Sequence, residues 1–284
     1  MKDDRPKVCC VVLTWNDRDN LAECLESMAK LTYPNLEIIV SDNGSTDGTV
    51  ELVKAHYPDV VLLENGRNLF WAGGNNVGIE RALDDGADYI MLLNNDIVVD
   101  PKMVGALINV GESDPRIGML GPKIYYYGDD RRLWYAGGEV LLWRGIARHI
   151  GIREIDDGQY DEVVTTGYIT GCALMVKREV VERIGLVDPV YVAYGEDMDW
   201  SYRARLAGYR LVYVPASVLW HKIGAYWGVV SKRKIRQKLR SHRIFFWRYS
   251  PRFAWFTTIP LFFLLDAIRV GFGILAGRFR VSGK

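Results

Sequence analysis

Three features of the first hundred residues predict an α/β fold built on a Rossmann-like, mostly parallel sheet with helices on both faces. Apolar, β-branched runs recur at Val8–Leu13, Leu36–Val40, Val60–Leu63 and Tyr89–Leu93. Runs without polar alternation suit strands that are covered on both faces. Helical stretches separate them: one with Leu21, Leu25 and Met28 on a single face, then Thr49–His56 and Asn76–Asp85. Three of the strands end in polar clusters, Thr14-Trp15-Asn16, Asp42-Asn43-Gly44-Ser45 and Asn94-Asn95-Asp96. Alternation at this pace means right-handed βα units, whose ligands lie beyond the carboxyl ends of the strands. The three clusters are then neighbours along one crevice. Each alone is also ordinary turn chemistry, because Asn, Asp, Gly and Ser are default loop residues.

From about Ile117 the rhythm changes to strand-like, Gly-punctuated pieces such as GMLGPKIYYYG and TTGYITGCALMVK. Helices are predicted over Arg178–Ile184, before Gly185, and over Glu196–Ala207, with Gly208 as its C-terminal cap. No low-complexity linker or internal repeat divides the chain. Residues 1–225 therefore read as one continuous domain, with 1–100 as a nucleotide-binding half, and residues 226–284 as a helical extension.

The net charge of +1 hides two opposed regions. Residues 220–284 carry 14 Lys/Arg against one acid, Asp266, while residues 1–219 have a net charge of −12. The four cysteines, Cys9, Cys10, Cys24 and Cys172, form no CxxC pair and read as reduced core residues. MKDDRPK followed by the short run VCCVVL does not read as a signal peptide, so a cytoplasmic catalytic body is expected.

Several residues carry candidate chemistry. Asp96, directly after the strand YIMLL, can hold a hard cation against a diphosphate. His221, after the strand-like Ser217–Trp220, is the best second ligand among four histidines; its other reading is a packing residue. Gly195-Glu196-Asp197-Met198-Asp199 opens a helix with three acids in four positions, more than dipole complementarity requires. Asp199 and Arg203, four apart, can pair along that helix. Asp197 or Glu196 is left facing the crevice as a general base, expected to stay ionised at the helix N-terminus. The dinucleotide fingerprint GxGxxG is missing after the first strand, and so is the Walker lysine motif. Thr14-Trp15-Asn16 stands in their place.

Four segments in order, VVLTWND (11–17), SDNGSTDGT (41–49), LNNDIVVDP (93–101) and YGEDMDWSYRARLAGYR (194–210), resemble the family 2 glycosyltransferases of GT-A fold, and among them the rhamnosyltransferase-like branch. RNLFWAGGNNVGI (67–79) and TGCALMVKREVVERIGLVD (170–188) resemble the blocks between them. The resemblance spans about residues 8–225 and makes 101–225 the acceptor and catalytic half. It implies that Thr14, Asn16 and Asp42 line the nucleotide pocket, with Asp42 accepting from a pyrimidine N3–H. Asn68 and Asn76 match positions that hold the nucleotide sugar. Asn94-Asn95-Asp96 resembles the DxD motif, with Asn94 near the ribose and Asp96 as ligand to Mg²⁺ or Mn²⁺. Asp197 matches the catalytic base, and His221 the histidine that completes metal coordination.

Departures from the pattern are the single carboxylate of the DxD segment, Trp15, and Phe70 and Trp200, which are expected to flank the site. The reaction implied is inverting transfer from a nucleoside-diphosphate sugar, dTDP-rhamnose or a UDP-sugar, to a lipid-linked or cell-envelope glycan. A nucleotidyltransferase would show an Arg/Lys-bearing, Gly-rich phosphate loop, which TWNDRDN lacks. A catalytically silent nucleotide-sugar-binding protein would have no need of Asp96, Asp197 and His221 together.

Residues 231–252 carry nine Lys/Arg among Phe245, Phe246, Trp247 and Tyr249. The apolar stretch that follows is broken by Pro260, Asp266 and Arg269. A spanning helix needs about 20 mostly apolar residues. Residues 231–277 are therefore expected to lie on an anionic membrane surface as interfacial helices, making the protein peripheral to the inner face of the membrane. The alternatives are a helix packed on the domain and a homo-oligomer interface. No RNA-module motif accompanies the basic stretch, so nucleic acid is not an expected partner.

Overall fold

The computed structural model describes residues 5–222 and 229–261, together with 264, 265, 268 and 280–282. Its first half runs β1 (Val8–Thr14), α1 (Arg18–Met28), β2 (Leu36–Asp42), α2 (Thr49–His56), β3 (Val61–Glu64), α3 (Phe70–Asp84) and β4 (Tyr89–Asn94). The short β5 (Ile97–Val99) and α4 (Met103–Gly111) lead into a longer strand, β6 (Ile117–Tyr126). Then come β7 (Asp129–Tyr135), the hairpin β8 (Gly138–Leu141) and β9 (Ile146–His149), β10 (Val164–Thr165) and β11 (Ala173–Lys177). Helices α5 (Arg178–Ile184) and α6 (Glu196–Leu206) precede β12 (Arg210–His221). The tail contributes β13 (Val229–Ser231), α7 (Lys232–Tyr249), α8 (Arg252–Phe256) and β14 (Arg280–Ser282).

The main sheet has the order β10-β12-β6-β11-β4-β1-β2-β3, with β5 on β12 and β7 on β6. Strands β1 to β4 pair parallel, β11 runs antiparallel between β4 and β6, and β12 is parallel to β6. The fold is thus α/β with a mostly parallel sheet, as the strand–helix rhythm predicts. Alternate residues of β1 fill two different cores. Val8, Cys10 and Val12 pack with α1 and α4 on one face, whereas Cys9 and Val11 pack with α3, α5 and α6 on the other. This two-sided burial is why the strand reads as unbroken apolar sequence. All four cysteines are buried and free.

Helix α3 starts at Phe70, six residues before the predicted Asn76. Asn68 explains the early start: its side-chain Oδ1 accepts the Phe70 N–H at 2.7 Å, satisfying one of the donors a first turn leaves open. Glycines of this segment lie inside the helix because the helix presses onto β1. A Cβ at Gly78 would stand 2.2 Å from the Val11 side chain, and one at Gly74 2.3 Å from that of Leu13.

The tail helix α7 docks on the domain. Phe245 and Phe246 are fully buried in a cluster with Tyr168, Tyr191, Met198, Ala254 and Ile259. Ser241 donates to the Ala193 carbonyl at 2.7 Å, and Arg248 reaches Asp188 at 2.7 Å and Asp199 at 3.3 Å. The packed-helix alternative therefore describes the docked face of α7. Much of the apolar stretch that the sequence assigns to a membrane surface (262–263, 266–267 and 269–277) lies outside the described residues. Among the described residues, no helix is long and apolar enough to cross a membrane.

Candidate active site

Register brings the sequence clusters to one level. Thr14 at the end of β1 is opposite Asp42 at the end of β2, and Leu13 is opposite Asn94 at the end of β4. The β1 and β2 loops are then laced together. Asn16, at φ 50°, accepts the Thr46 N–H at 2.7 Å through Oδ1, and its own N–H donates to Ser45 Oγ at 2.8 Å. Asn95 Nδ2 donates to Thr14 Oγ1 at 3.1 Å and to Asp17 Oδ2 at 3.2 Å, joining β4 to the same rim.

Asp42 is almost fully buried. Its Oδ2 accepts the N–H groups of Gly44 (3.0 Å) and Ser45 (2.9 Å), while Oδ1 is buried with no hydrogen-bond partner among the described residues. A buried acceptor without a donor is costly in isolation, so this oxygen is set up to receive an N–H from a ligand. Gly44 makes the tight turn beside it at φ 76°; a Cβ there would sit 2.8 Å from the Arg67 backbone nitrogen. Asn94 Oδ1 accepts from Trp71 Nε1 at 3.3 Å, so α3 closes the crevice from the other side.

Asp96 and His221, 125 positions apart, meet because β5 pairs with β12 and puts His221 opposite Ile97. Asp96 Oδ1 stands 3.2 Å from His221 Nε2, yet it is buried with no hydrogen bond among the described residues, as is His221 Nδ1. Burial works against an imidazolium at His221, but Cys172 and the Asp96 carboxylate outweigh it and lift its pKa to about 10. A divalent cation held by Asp96 and His221 would replace that proton and give the buried Asp96 Oδ1 a partner. No group of three or more His, Cys, Asp or Glu ligands occurs among the described residues, so the remaining positions would fall to ligand oxygens. That is the usual arrangement for a hard cation on a diphosphate.

The loop Thr170-Gly171-Cys172 ties the acidic helix to this strand edge. Cys172 accepts the Asn94 N–H at 3.0 Å through its carbonyl, and the Gly171 N–H donates to Asp197 Oδ2 at 2.9 Å. Asp197 Oδ1 accepts the Met198 N–H at 2.8 Å, so both of its oxygens face backbone donors. Glu196 is buried, with Oε2 lacking a partner among the described residues. The expectation that these carboxylates stay ionised is corrected for Glu196. Burial raises the pKa of both, and the Asp197 charge adds to the push on Glu196, which reaches about 8. Desolvation outweighs the helix dipole here. Of the pair, Asp197 has its two oxygens satisfied by N–H groups and is the better anion.

Two further expectations need correction. Asn76 does not open onto the crevice with its amide free: its Nδ2 donates to the Val187 carbonyl at 2.8 Å and its Oδ1 accepts the Val187 N–H at 3.0 Å. Trp200 does not flank the site but is wholly buried in the core, with Nε1 donating to the Gly185 carbonyl at 2.9 Å. Phe70 does lie at the rim, half exposed at φ 60°. The helical pair holds, with Arg203 Nε 2.8 Å from Asp199 Oδ2. Trp71 and Cys172 were not predicted as site residues; Gly171 hints at them, since a Cβ there would sit 2.8 Å from the Trp71 ring.

A sheet-edge crevice with an orphaned carboxylate oxygen for a base, a carboxylate–imidazole pair and a helix-mounted acid suits group transfer from a diphosphate ester. The Glycosyl transferase family 2 model matches residues 9–185, and the chain belongs to that family of glycosyltransferases. An N-acetylglucosaminyl-diphospho-decaprenol L-rhamnosyltransferase of Mycobacterium tuberculosis is 32% identical over 232 residues, 75% of either chain. A poly-beta-1,6-N-acetyl-D-glucosamine synthase of Staphylococcus aureus is 25% identical over 85% of this chain and 56% of its own length. Among solved structures, GalNAc-T7 with UDP, GalNAc and Mn2+ superposes with a TM-score of 0.63 at 18% identity, covering 78% of this chain and 44% of that one. The mannosyltransferase PcManGT of Pyrobaculum calidifontis with GDP-Man and Mn2+ gives 0.59 at 20%, covering 87% and 66%. The fold is that of the GT-A glycosyltransferases.

Proposed function

We propose that the protein transfers a sugar, with inversion, from a nucleoside-diphosphate donor to a lipid-linked or cell-envelope glycan, with dTDP-rhamnose as donor and diphosphate-linked N-acetylglucosamine as acceptor. The observation that carries this reading is the meeting of Asp96, His221 and Asp197 at one strand edge through residues 171–172. The rhamnosyltransferase relative supports the choice of donor and acceptor.

In this reading Asp42 Oδ1 accepts the N3–H of a pyrimidine, and Thr14, Asn16 and Asn68 shape the loops around the nucleoside. Asn94 lies near the ribose, and Asn95 fixes the rim beside it. Asp96 and His221 would hold Mg²⁺ or Mn²⁺, which when bound supplies Lewis-acid stabilisation of the charge on the departing diphosphate. Asp197 takes the proton from an acceptor hydroxyl as its oxygen bonds to the anomeric carbon. The anomeric C–O bond to the diphosphate breaks on the opposite face, and its electron pair leaves with the nucleoside diphosphate. One displacement inverts the configuration. The raised pKa of Asp197 makes its carboxylate a stronger base than an ordinary aspartate.

The undocked face of the tail supports peripheral attachment to an anionic leaflet on the cytoplasmic side. Trp247, Phe253, Phe256, Leu261, Leu264 and Leu265 are all at least half exposed, alongside the exposed cations Arg236, Arg240 and Arg243. The test of the donor is a thermal-shift panel of dTDP-rhamnose, UDP-sugars and GDP-mannose with and without Mn²⁺. A true donor stabilises the fold by mass action. The largest shift is expected for dTDP-rhamnose with metal; a UDP-sugar in first place would replace the donor, and no shift with any would overturn the function.

A further inference from the structure

Between the metal pair and the acidic helix stands a group of rings that the donor chemistry does not use. The Trp134 ring meets His221 and His149 edge to face, with centroids 4.5 Å apart in each case. His149 also packs on Tyr135 at 5.1 Å and on Tyr168 at 5.9 Å. Tyr135 in turn donates to the Tyr168 carbonyl at 2.7 Å, and both tyrosines feel the charge of Asp197. His149 is therefore joined to His221 through Trp134, and packs on the two tyrosines that feel Asp197.

The protonation state of His149 is set by its surroundings. Burial is the main cause that lowers its pKa, to about 4, with Lys238 and His221 adding to it. Its Nδ1 faces the Trp134 carbonyl at 3.3 Å, and a carbonyl accepts only from N–H, so the proton is on Nδ1. Nε2 then carries a bare lone pair, with no hydrogen bond among the described residues. A neutral imidazole of this kind is too weak a base to remove a hydroxyl proton at neutral pH, but it is a good acceptor for one.

Lys238 comes from the docked tail. It is exposed, has no ion pair among the described residues, and lies near enough to His149 and His242 to act on both. One turn further along α7, Ser241 packs over Gly195, 3.5 Å from where its Cβ would be, immediately before Glu196 and Asp197. The tail helix thus carries an exposed cation beside His149, one turn from the serine that packs at the start of the acidic helix.

The geometry points to an acceptor subsite in which His149 Nε2 accepts a hydrogen bond from a hydroxyl of the acceptor sugar, Trp134 walls the ring, and Lys238 receives the acceptor's phosphate. This rests on the glycosyltransferase reading above and deepens it. The hairpin β8–β9 and the tail helix become parts of the acceptor site, and the sugar ring and its phosphate are read by separate elements.

The experiment uses the full chain and two probes: N-acetylglucosamine joined through a diphosphate to farnesol, and phenyl β-N-acetylglucosaminide, which has no phosphate. Binding is read by tryptophan fluorescence, and nucleoside diphosphate release with and without probe gives transfer and background donor hydrolysis. His149→Phe keeps the ring packing and removes the acceptor, and should raise KM for both probes about tenfold, the usual cost of one lost hydrogen bond. Donor KM should move far less than acceptor KM. His149→Gln, which restores an acceptor, should recover part of the loss. Lys238→Gln should weaken only the diphosphate probe. Unchanged acceptor KM in His149→Phe, or equal effects of Lys238→Gln on both probes, would overturn the inference. So would a wild type that hydrolyses donor but takes up neither probe. A wild type that neither binds nor hydrolyses any donor would instead overturn the reading on which the inference rests.

Discussion

Asp199→Asn perturbs the joint between the acidic helix and the tail without touching the crevice. Asp199 is fully buried, and its carboxylate gathers four donors: Arg203 Nε at 2.8 Å, Arg248 Nη1 at 3.3 Å, Tyr249 OH at 2.9 Å and Tyr191 OH at 3.1 Å. An asparagine keeps one acceptor oxygen and turns an NH2 toward donors, so about half of these bonds are lost. Breaking a buried pair from one side costs about 3–5 kcal/mol. Both arginines retain other partners here. Arg203 still donates to the Ile184 and Leu186 carbonyls, and Arg248 still reaches Asp188. That puts the expected loss at the lower end, about 3 kcal/mol. At roughly 2–4 °C per kcal/mol for a domain somewhat smaller than this one, Tm should fall by about 6–12 °C. Scanning fluorimetry measures the fall, and limited proteolysis should cut near α7 earlier than in the wild type. A loss below 1 kcal/mol, with α7 equally protected, would refute the view that the tail is locked to the domain through Asp199.

Other consequences follow from single contacts. Gly171→Ala forces a Cβ to within 2.8 Å of the Trp71 ring, so the variant should lose about 1–3 kcal/mol in urea melts and bind donor more weakly through displaced Trp71. Glu196→Gln should change the pH dependence of stability. The Glu196 pKa is raised on folding, so the stability linked to its proton is complete below about 4.5 and lost as pH rises through about 8. The glutamine variant should therefore match wild type in Tm at pH 4.5 and exceed it increasingly up to pH 8.5. The gain is bounded at about 5 kcal/mol by 1.36 kcal/mol per pH unit. Equal Tm differences at both pH values would contradict a buried, protonated Glu196.

The strand–helix alternation made the parallel half of the sheet readable, because buried parallel strands advertise themselves as unbroken apolar runs. The loops at their ends were readable for the same reason, since topology alone brings Thr14, Asp42 and Asn94 to one edge. Local spacing says nothing of the antiparallel pairing that sets His221 opposite Ile97, so only the family resemblance could join His221 to Asp96. Helix α3 begins before Asn76, a start the sequence does not show because Gly74, which must be small against Leu13, looks like a loop glycine in one dimension. Burial misled on the acids. A helix N-terminus predicts ionised carboxylates, but only the fold reveals that Glu196 is buried and that desolvation pushes both Glu196 and Asp197 toward the protonated form. His149, Trp134 and Lys238 come from an irregular stretch and a basic helix, where neither periodicity nor motif marks a site. The tail composition likewise hid Phe245 and Phe246, which lie fully buried among many cations.

The central claim is that Asp197 removes the acceptor proton in sugar transfer from a nucleoside diphosphate. The most direct measurement is nucleoside diphosphate release by Asp197→Asn with saturating donor and the diphosphate-linked N-acetylglucosamine acceptor, beside donor binding by the same variant. Loss of a general base predicts transfer slower by about 10²–10⁴-fold with donor affinity unchanged. Transfer at the wild-type rate by Asp197→Asn would contradict the account.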